Sequence, residues 1–206
     1  MANHELTITV TPMIPTRMVN ALDLEILQAL GLTWEKDGES HYYFFSESGL
    51  DPMPEMVIDD LQEFLRDAEQ EYPQDREHPA WVSRLLGDVE TAIEVGADEF
   101  IADNDCLPTA EQVLQSVLHK PGWQDRPAYI QMMGASWCSR VRPNEFGGFV
   151  TRITPERIVE LDTWNGMDRY LRLVDAAQAV VDRWENGDLA AAVRTLAAEV
   201  AWVKDD

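Results

Sequence analysis

Glu5 to Thr11 alternates Leu6, Ile8 and Val10 against threonines, the period-two signature of a half-buried strand, and Pro12 and Pro15 end it. Thr16 then caps a predicted helix over 17–30, where Met18, Leu22, Ile26 and Leu30 recur every fourth residue and Gly31 closes the run. Asp37-Gly38, between apolar stretches at 32–36 and 39–46, predicts a β-hairpin. The unbroken Tyr42-Tyr43-Phe44-Phe45 run predicts a strand covered on both faces or lying against a partner. The opening therefore reads β-α-β-β.

Beyond a turn-rich connection, 55–72 carries the clearest amphipathic helix pattern, with Val57, Ile58, Leu61, Phe64, Leu65, Ala68 and Tyr72 on one face and Pro73 as its stop. A second helix is predicted from Pro79, with Trp81, Val82, Leu85, Leu86, Val89 and Ile93 inward and Gly96 at its end. The acidic 98–105 reads as loop or short turn. Thr109 and Gln112 make a capping box for a third helix over 110–119. From 127 to 153 the pattern is a buried strand, an irregular loop, a Gly147-Gly148 pivot and a returning strand, with Ile130, Trp137, Phe146 and Phe149 expected in the core.

The stretch 158–161 fits a helix or an edge strand equally well. Two helices follow over 167–185 and 189–203, the second capped by Asp188, and their short Asn186-Gly187 joint predicts an antiparallel hairpin. Leu171, Val174, Val181 and Trp184 are expected to face Leu189, Val193, Leu196 and Val200 across it. The expected fold class is α+β: a small mixed sheet packed by amphipathic helices. Residues 1–165 form an acidic domain, and the hairpin over 166–206 packs on the same core.

Composition changes the picture in one respect. At 206 residues and 45% hydrophobic, with seven tryptophans, the chain folds despite a formal charge of −22. Cys106 and Cys138 lie in unlike contexts, and neither a charged leader nor a membrane-length apolar run is present, so a reduced, cytoplasmic protein without a membrane partner is expected. The charge is uneven. Residues 1–120 hold 25 Asp and Glu against 6 Lys and Arg, a net of −19, whereas 121–206 net only −3. The first part repels nucleic acid and anionic membranes and attracts basic surfaces at long range.

Its sharpest expression is a stripe on the helix predicted over 55–72. Asp59, Glu63, Asp67 and Glu71 fall at every fourth position, in one line, with steps of ~6 Å. Glu55, Asp60 and Glu69 widen the stripe and only Arg66 interrupts it. Three like-charge i, i+4 pairs oppose helix formation by roughly 1 kcal/mol. The predicted helix is ~28 Å long, a length over which one DNA strand carries about 8 phosphates. The stripe thus approaches the charge density of one nucleic-acid strand. Asp88, Glu90 and Glu94, with Asp98 and Glu99, supply a second row if the two helices lie side by side. The plain alternative is a solvated face that keeps the protein soluble.

Other chemistry is thin. The loop 138–148 carries Arg140, Arg142, Asn144 and Glu145, which suits an anion- or partner-binding loop, or a tight connection whose arginines pair with the protein's own carboxylates. No glycine-flanked nucleophile turn surrounds Cys138, so pairing it with His119 has no support. Asp103-Asn104-Asp105 begins like a calcium loop, but Pro108 and Leu114 stand where its glycine and closing glutamate belong. The four histidines are scattered, and no CxxC, HxxxH, Walker A or GxGxxG occurs, so neither metal nor cofactor is expected.

The segments YYFFSES and GASWCSRVRPNEFGGFVTRITPE resemble small acidic proteins of unassigned function carried by plasmids, phages and integrated elements. The likeness covers the two strand regions and carries no functional residue over. It implies a setting in which such proteins counter host defence or regulate the element. Together with the charge, it leads to the expectation of a non-enzymatic phosphate mimic that binds a basic, nucleic-acid-handling partner, of the anti-CRISPR or anti-restriction kind. The alternatives are an interaction module using the C-terminal helices and a small enzyme centred on Arg140 to Glu145.

Overall fold

The computed structural model describes residues 4–51, 55–71, 79–97, 99–101, 107–120, 126–138, 146–163, 166–184 and 188–205. Strand β1 (His4–Thr11) leads through the two-residue β2 (Ile14–Pro15) and a 3-10 turn (Thr16–Met18) into helix α1 (Ala21–Ala29). A hairpin of β3 (Thr33–Asp37) and β4 (His41–Ser46) follows, then β5 (Glu55–Val57), α2 (Ile58–Glu71), α3 (Ala80–Glu94), β6 (Glu99–Ile101) and α4 (Ala110–His119). The antiparallel trio β7 (Ile130–Cys138), β8 (Gly147–Ile153) and β9 (Ile158–Asp162) precedes α5 (Gly166–Asp182) and α6 (Leu189–Asp205). No described helix is long and apolar enough to cross a membrane.

The fold is α+β. The main sheet runs β2-β4-β1-β7-β8-β9, with β3 joined to β4, and a separate ribbon pairs β5 with β6. All the described pairings are antiparallel. The first strand therefore sits at the centre, hydrogen-bonded along its whole length to β7. Alternation along the strands sends Ile8, Val10, Phe44, Ile130, Met132 and Ile153 to one face. There they share a continuous buried core with Leu22, Ile26 and Leu27 of α1, Leu61 and Leu65 of α2, Leu85 and Val89 of α3, and Val113, Leu114 and Val117 of α4. Each fully buried leucine stabilises this assembly by about 1.5–3 kcal/mol. The opposite face stays open at Met133, Val150 and Leu161.

Several boundaries differ from the sequence reading, each for a local reason. Helix α1 starts at Asn20, not Thr16. The Asn20 side chain accepts the Asp23 N–H and the Asp23 carboxylate accepts the Asn20 N–H, both at 2.9 Å, while the Thr16 hydroxyl donates across to Glu39 O. Gly31, at φ +91°, closes the helix as expected. The predicted box of Thr109 and Gln112 caps α4. Tyr42 and Phe44 are buried, but Tyr43 is exposed and stacks on Phe45, so β4 is covered on one face only. The ambiguous 158–161 is strand, because its backbone completes a ladder with β8. The expected burial of Phe146 fails: it lies just before β8, outside the ladder, and is 50% exposed. Ile130 is fully buried, whereas Trp137 and Phe149 are half-buried.

The C-terminal helices form the expected hairpin, packed on each other; on α6 the expected Leu189 and Leu196 are half-buried, in line with Ala192, but α5 uses another face. Their buried side chains are Ala176 and Ala192, and Arg172 Nη2 donates to Glu199 Oε1 at 2.8 Å. Leu171, Val174, Val181, Trp184, Val193 and Val200, expected between the helices, are exposed. Small side chains allow closer backbone approach, and the hairpin closes on its alanines. The main core takes no side chain from either helix among the described residues.

Candidate functional site

The acidic helix is built as its periodicity demands. Ile58, Leu61, Leu65 and Ala68 are buried, which turns the line of every-fourth-residue carboxylates to the opposite side of α2. Glu63 and Asp67, with Arg66, are exposed. Asp59, Asp60, Glu69 and Glu71 belong to the same helix. Glu55 does not belong to it. It lies in β5, opposite Ile101 of β6, because the β5–β6 ribbon claims its backbone before the helix begins. The helix is therefore one turn shorter at its start than its amphipathic pattern suggests.

Helix α3 packs against α2 and buries Trp81, Val82, Leu85 and Val89. Glu90 and Glu94 fall on its solvent side, and Asp88 is half-buried at its flank. Two carboxylate-bearing helices thus lie side by side. Among the described residues, no ion pair or hydrogen bond engages the carboxylates of Glu63, Asp67, Asp88, Glu90 or Glu94. The described ion pairs lie elsewhere, joining Lys120 to Asp23 and Arg172 to Glu199. Of the five carboxylates, Glu63, Asp67, Glu90 and Glu94 are exposed to solvent and open to a cationic ligand, with Arg66 and Arg84 the exposed cations on the same helices. Arg140, Arg142 and Glu145, the other candidate binding residues, lie outside the described residues, as do Asp98 and the 103–105 acidic triplet.

Two features were not singled out in the sequence. On the open face of the sheet, Met133, Val150 and Leu161 stand side by side in cross-strand register. Beside them lies a shallow groove of about 280 Å³ lined by Met133, Gly148, Phe149, Val150, Leu161 and Thr163. Asp162 also lines it, and with Thr163 it gives the mainly apolar groove its polar side chains. The signal for it was the period-two pattern in β8 read together with the register, which a single strand does not reveal. The second feature is the outward apolar side of α5, whose spacing was visible but was assigned to the hairpin interior. Among the described residues no cluster of His, Cys, Asp and Glu is arranged to hold a metal ion.

Compared with models of known protein families, with curated proteins and with solved structures, the chain matches none.

Proposed function

We propose that this protein is a non-enzymatic, cytoplasmic acidic mimic that occupies the phosphate-binding surface of a basic, nucleic-acid-handling protein and inhibits it. An anti-defence inhibitor, of the anti-CRISPR or anti-restriction kind, is the concrete form. The observation that carries the reading is the pair of solvent-facing carboxylates Glu63 and Asp67 on α2, which have no ion-pair partner among the described residues, on a helix whose buried side is committed to packing. A folded helix that keeps like charges at every fourth position retains a destabilising arrangement of roughly 1 kcal/mol, and binding a cationic surface relieves it. Asp59, Glu63, Asp67 and Glu71 meet lysines and arginines that otherwise contact phosphates. Asp88, Glu90 and Glu94 extend the field from α3. Opposite fields speed encounter and set orientation.

The test is capture of host proteins on the purified chain, compared with a variant carrying Asp59→Lys, Glu63→Lys and Asp67→Lys. The expected result is a basic nucleic-acid-binding partner that elutes as salt rises, is displaced by nucleic acid, and is absent from the variant. Circular dichroism checks that the variant's helices persist. A folded variant that captures the same partner at wild-type affinity overturns the reading and leaves the stripe a solvated face.

A further inference from the structure

Helix α5 turns a long apolar stripe away from α6. Met167, Tyr170, Val174, Ala177 and Val181 follow one another at alternating steps of three and four residues, the spacing of a helix–helix seam, and Trp184, just past the end of the helix, continues the spacing. Met167 is 63% exposed, Tyr170 62%, Val181 66% and Trp184 70%. The side that meets α6 is a different one, marked by buried Ala176 and by the Arg172–Glu199 bond. Among the described residues, this apolar face of the hairpin is left largely in solvent.

Three observations identify what fits there. The positions flanking the seam are Gly166, Leu171, Leu173, Gln178, Val180 and Glu185, so a single charge, at one end, borders it in a chain of net −22. Asp168, Asp175 and Asp182 are held to the outer positions of the same repeat. The exposed parts of the seam side chains together with Leu171 amount to roughly 700 Å², close to the ~800 Å² per partner of a stable complex. The seam also has a symmetric size profile: bulky at both ends and small in the middle, at Val174 and Ala177. Reversed end to end, it pairs Met167 with Trp184, Tyr170 with Val181 and Val174 with Ala177, a larger side chain with a smaller one at each level.

We propose that α5 is a self-association surface on which a second copy of this chain docks its own α5 antiparallel. Two α5–α6 hairpins then close into a four-helix bundle about a two-fold axis. Trp184 of one copy packs against Met167 and Tyr170 of the other, and Val174 meets Ala177 near the axis. A parallel arrangement sets Trp184 on Trp184 and alanine on alanine, which crowds the ends and leaves the middle underfilled. This surface is separate from the acidic side of α2 and does not depend on the function proposed above.

Sedimentation equilibrium of the full chain tests it. The expected mass is twice the 23.4 kDa of one chain at micromolar concentration, falling to one chain in the Val174→Glu, Val181→Glu variant with helix content unchanged. Should that variant misfold, the single Trp184→Glu variant serves, because that side chain is largely in solvent already. Orientation is read by oxidation: a mixture of Val174→Cys and Ala177→Cys chains should cross-link several-fold faster than either alone, with the wild-type chain as control for the native cysteines. A wild-type monomer at about 100 µM, or a dimer that survives both the double and the single substitution, overturns the proposal. Faster cross-linking of either variant with itself overturns the antiparallel arrangement.

Discussion

The ring of Phe149 lies over Gly134, its partner across the β7–β8 ladder. A Cβ added to Gly134 would meet the ring's Cε1 at 2.1 Å and Cζ at 2.6 Å. The glycine makes room for the aromatic ring, and the ring covers the backbone that a glycine leaves bare in a strand. Gly134→Ala should therefore cost about 1–3 kcal/mol through overpacking. Combined with Phe149→Ala, the clash disappears. The double variant should then be less destabilised than the sum of the two singles, by more than about 0.5 kcal/mol, in urea unfolding. Simple additivity would mean that the two side-chain sites are not coupled.

Asp23 and Lys120 make a second long-range link, an ion pair between α1 and the end of α4. Asp23 is almost wholly buried and also closes the Asn20 capping box. Lys120→Ala takes one cationic partner from a buried carboxylate and should cost up to about 3–5 kcal/mol. Lys120→Met with Asp23→Asn, which keeps a cap acceptor and removes both charges, should cost less than Lys120→Ala alone. Chemical denaturation of the three variants decides the matter.

Glu63 stands four residues from both Asp59 and Asp67, so Glu63→Lys converts two repulsive pairs into attractive ones. Counting about 0.2–0.5 kcal/mol for each repulsion lost and each attraction gained, the variant should be more stable by roughly 1–2 kcal/mol at low salt. Most of the gain should vanish in 1 M NaCl, where the screening length is about 3 Å. A gain that is independent of salt would point to packing and not to charge.

Salt should act on the two proposed surfaces in opposite directions. Each copy carries −22, so screening relieves repulsion between copies and should tighten the α5 dimer, while it weakens capture of a basic partner by α2. Sedimentation from 50 mM to 1 M NaCl gives the first slope, and elution of the captured partner the second. Dimer dissociation at high salt would show that charges, not the apolar seam, hold the copies together.

Removal of 166–206 should leave the main domain folded, because the described core takes no side chain from α5 or α6. The truncated chain should keep a single cooperative urea transition with a midpoint close to that of the full chain, and it should sediment as a monomer. Loss of cooperativity would mean that the hairpin is integral to the core.

What the sequence determined by itself is local. The acidic side of α2, the Thr109–Gln112 cap of α4, the β3–β4 hairpin and the two C-terminal helices were all legible, because periodicity and capping act over three or four residues. What the tertiary structure decided depends on partners far along the chain. Glu55 joined a strand and not the acidic helix because Ile101 pairs with it. The stretch 158–162 became strand because β8 offered it an unpaired edge, and Gly134 was needed because the register set it against Phe149. On α5 the same residues carry two usable faces. The hairpin closed through the small side chains of Ala176 and Ala192, which are buried, and that choice left the apolar seam from Met167 to Trp184 facing outward.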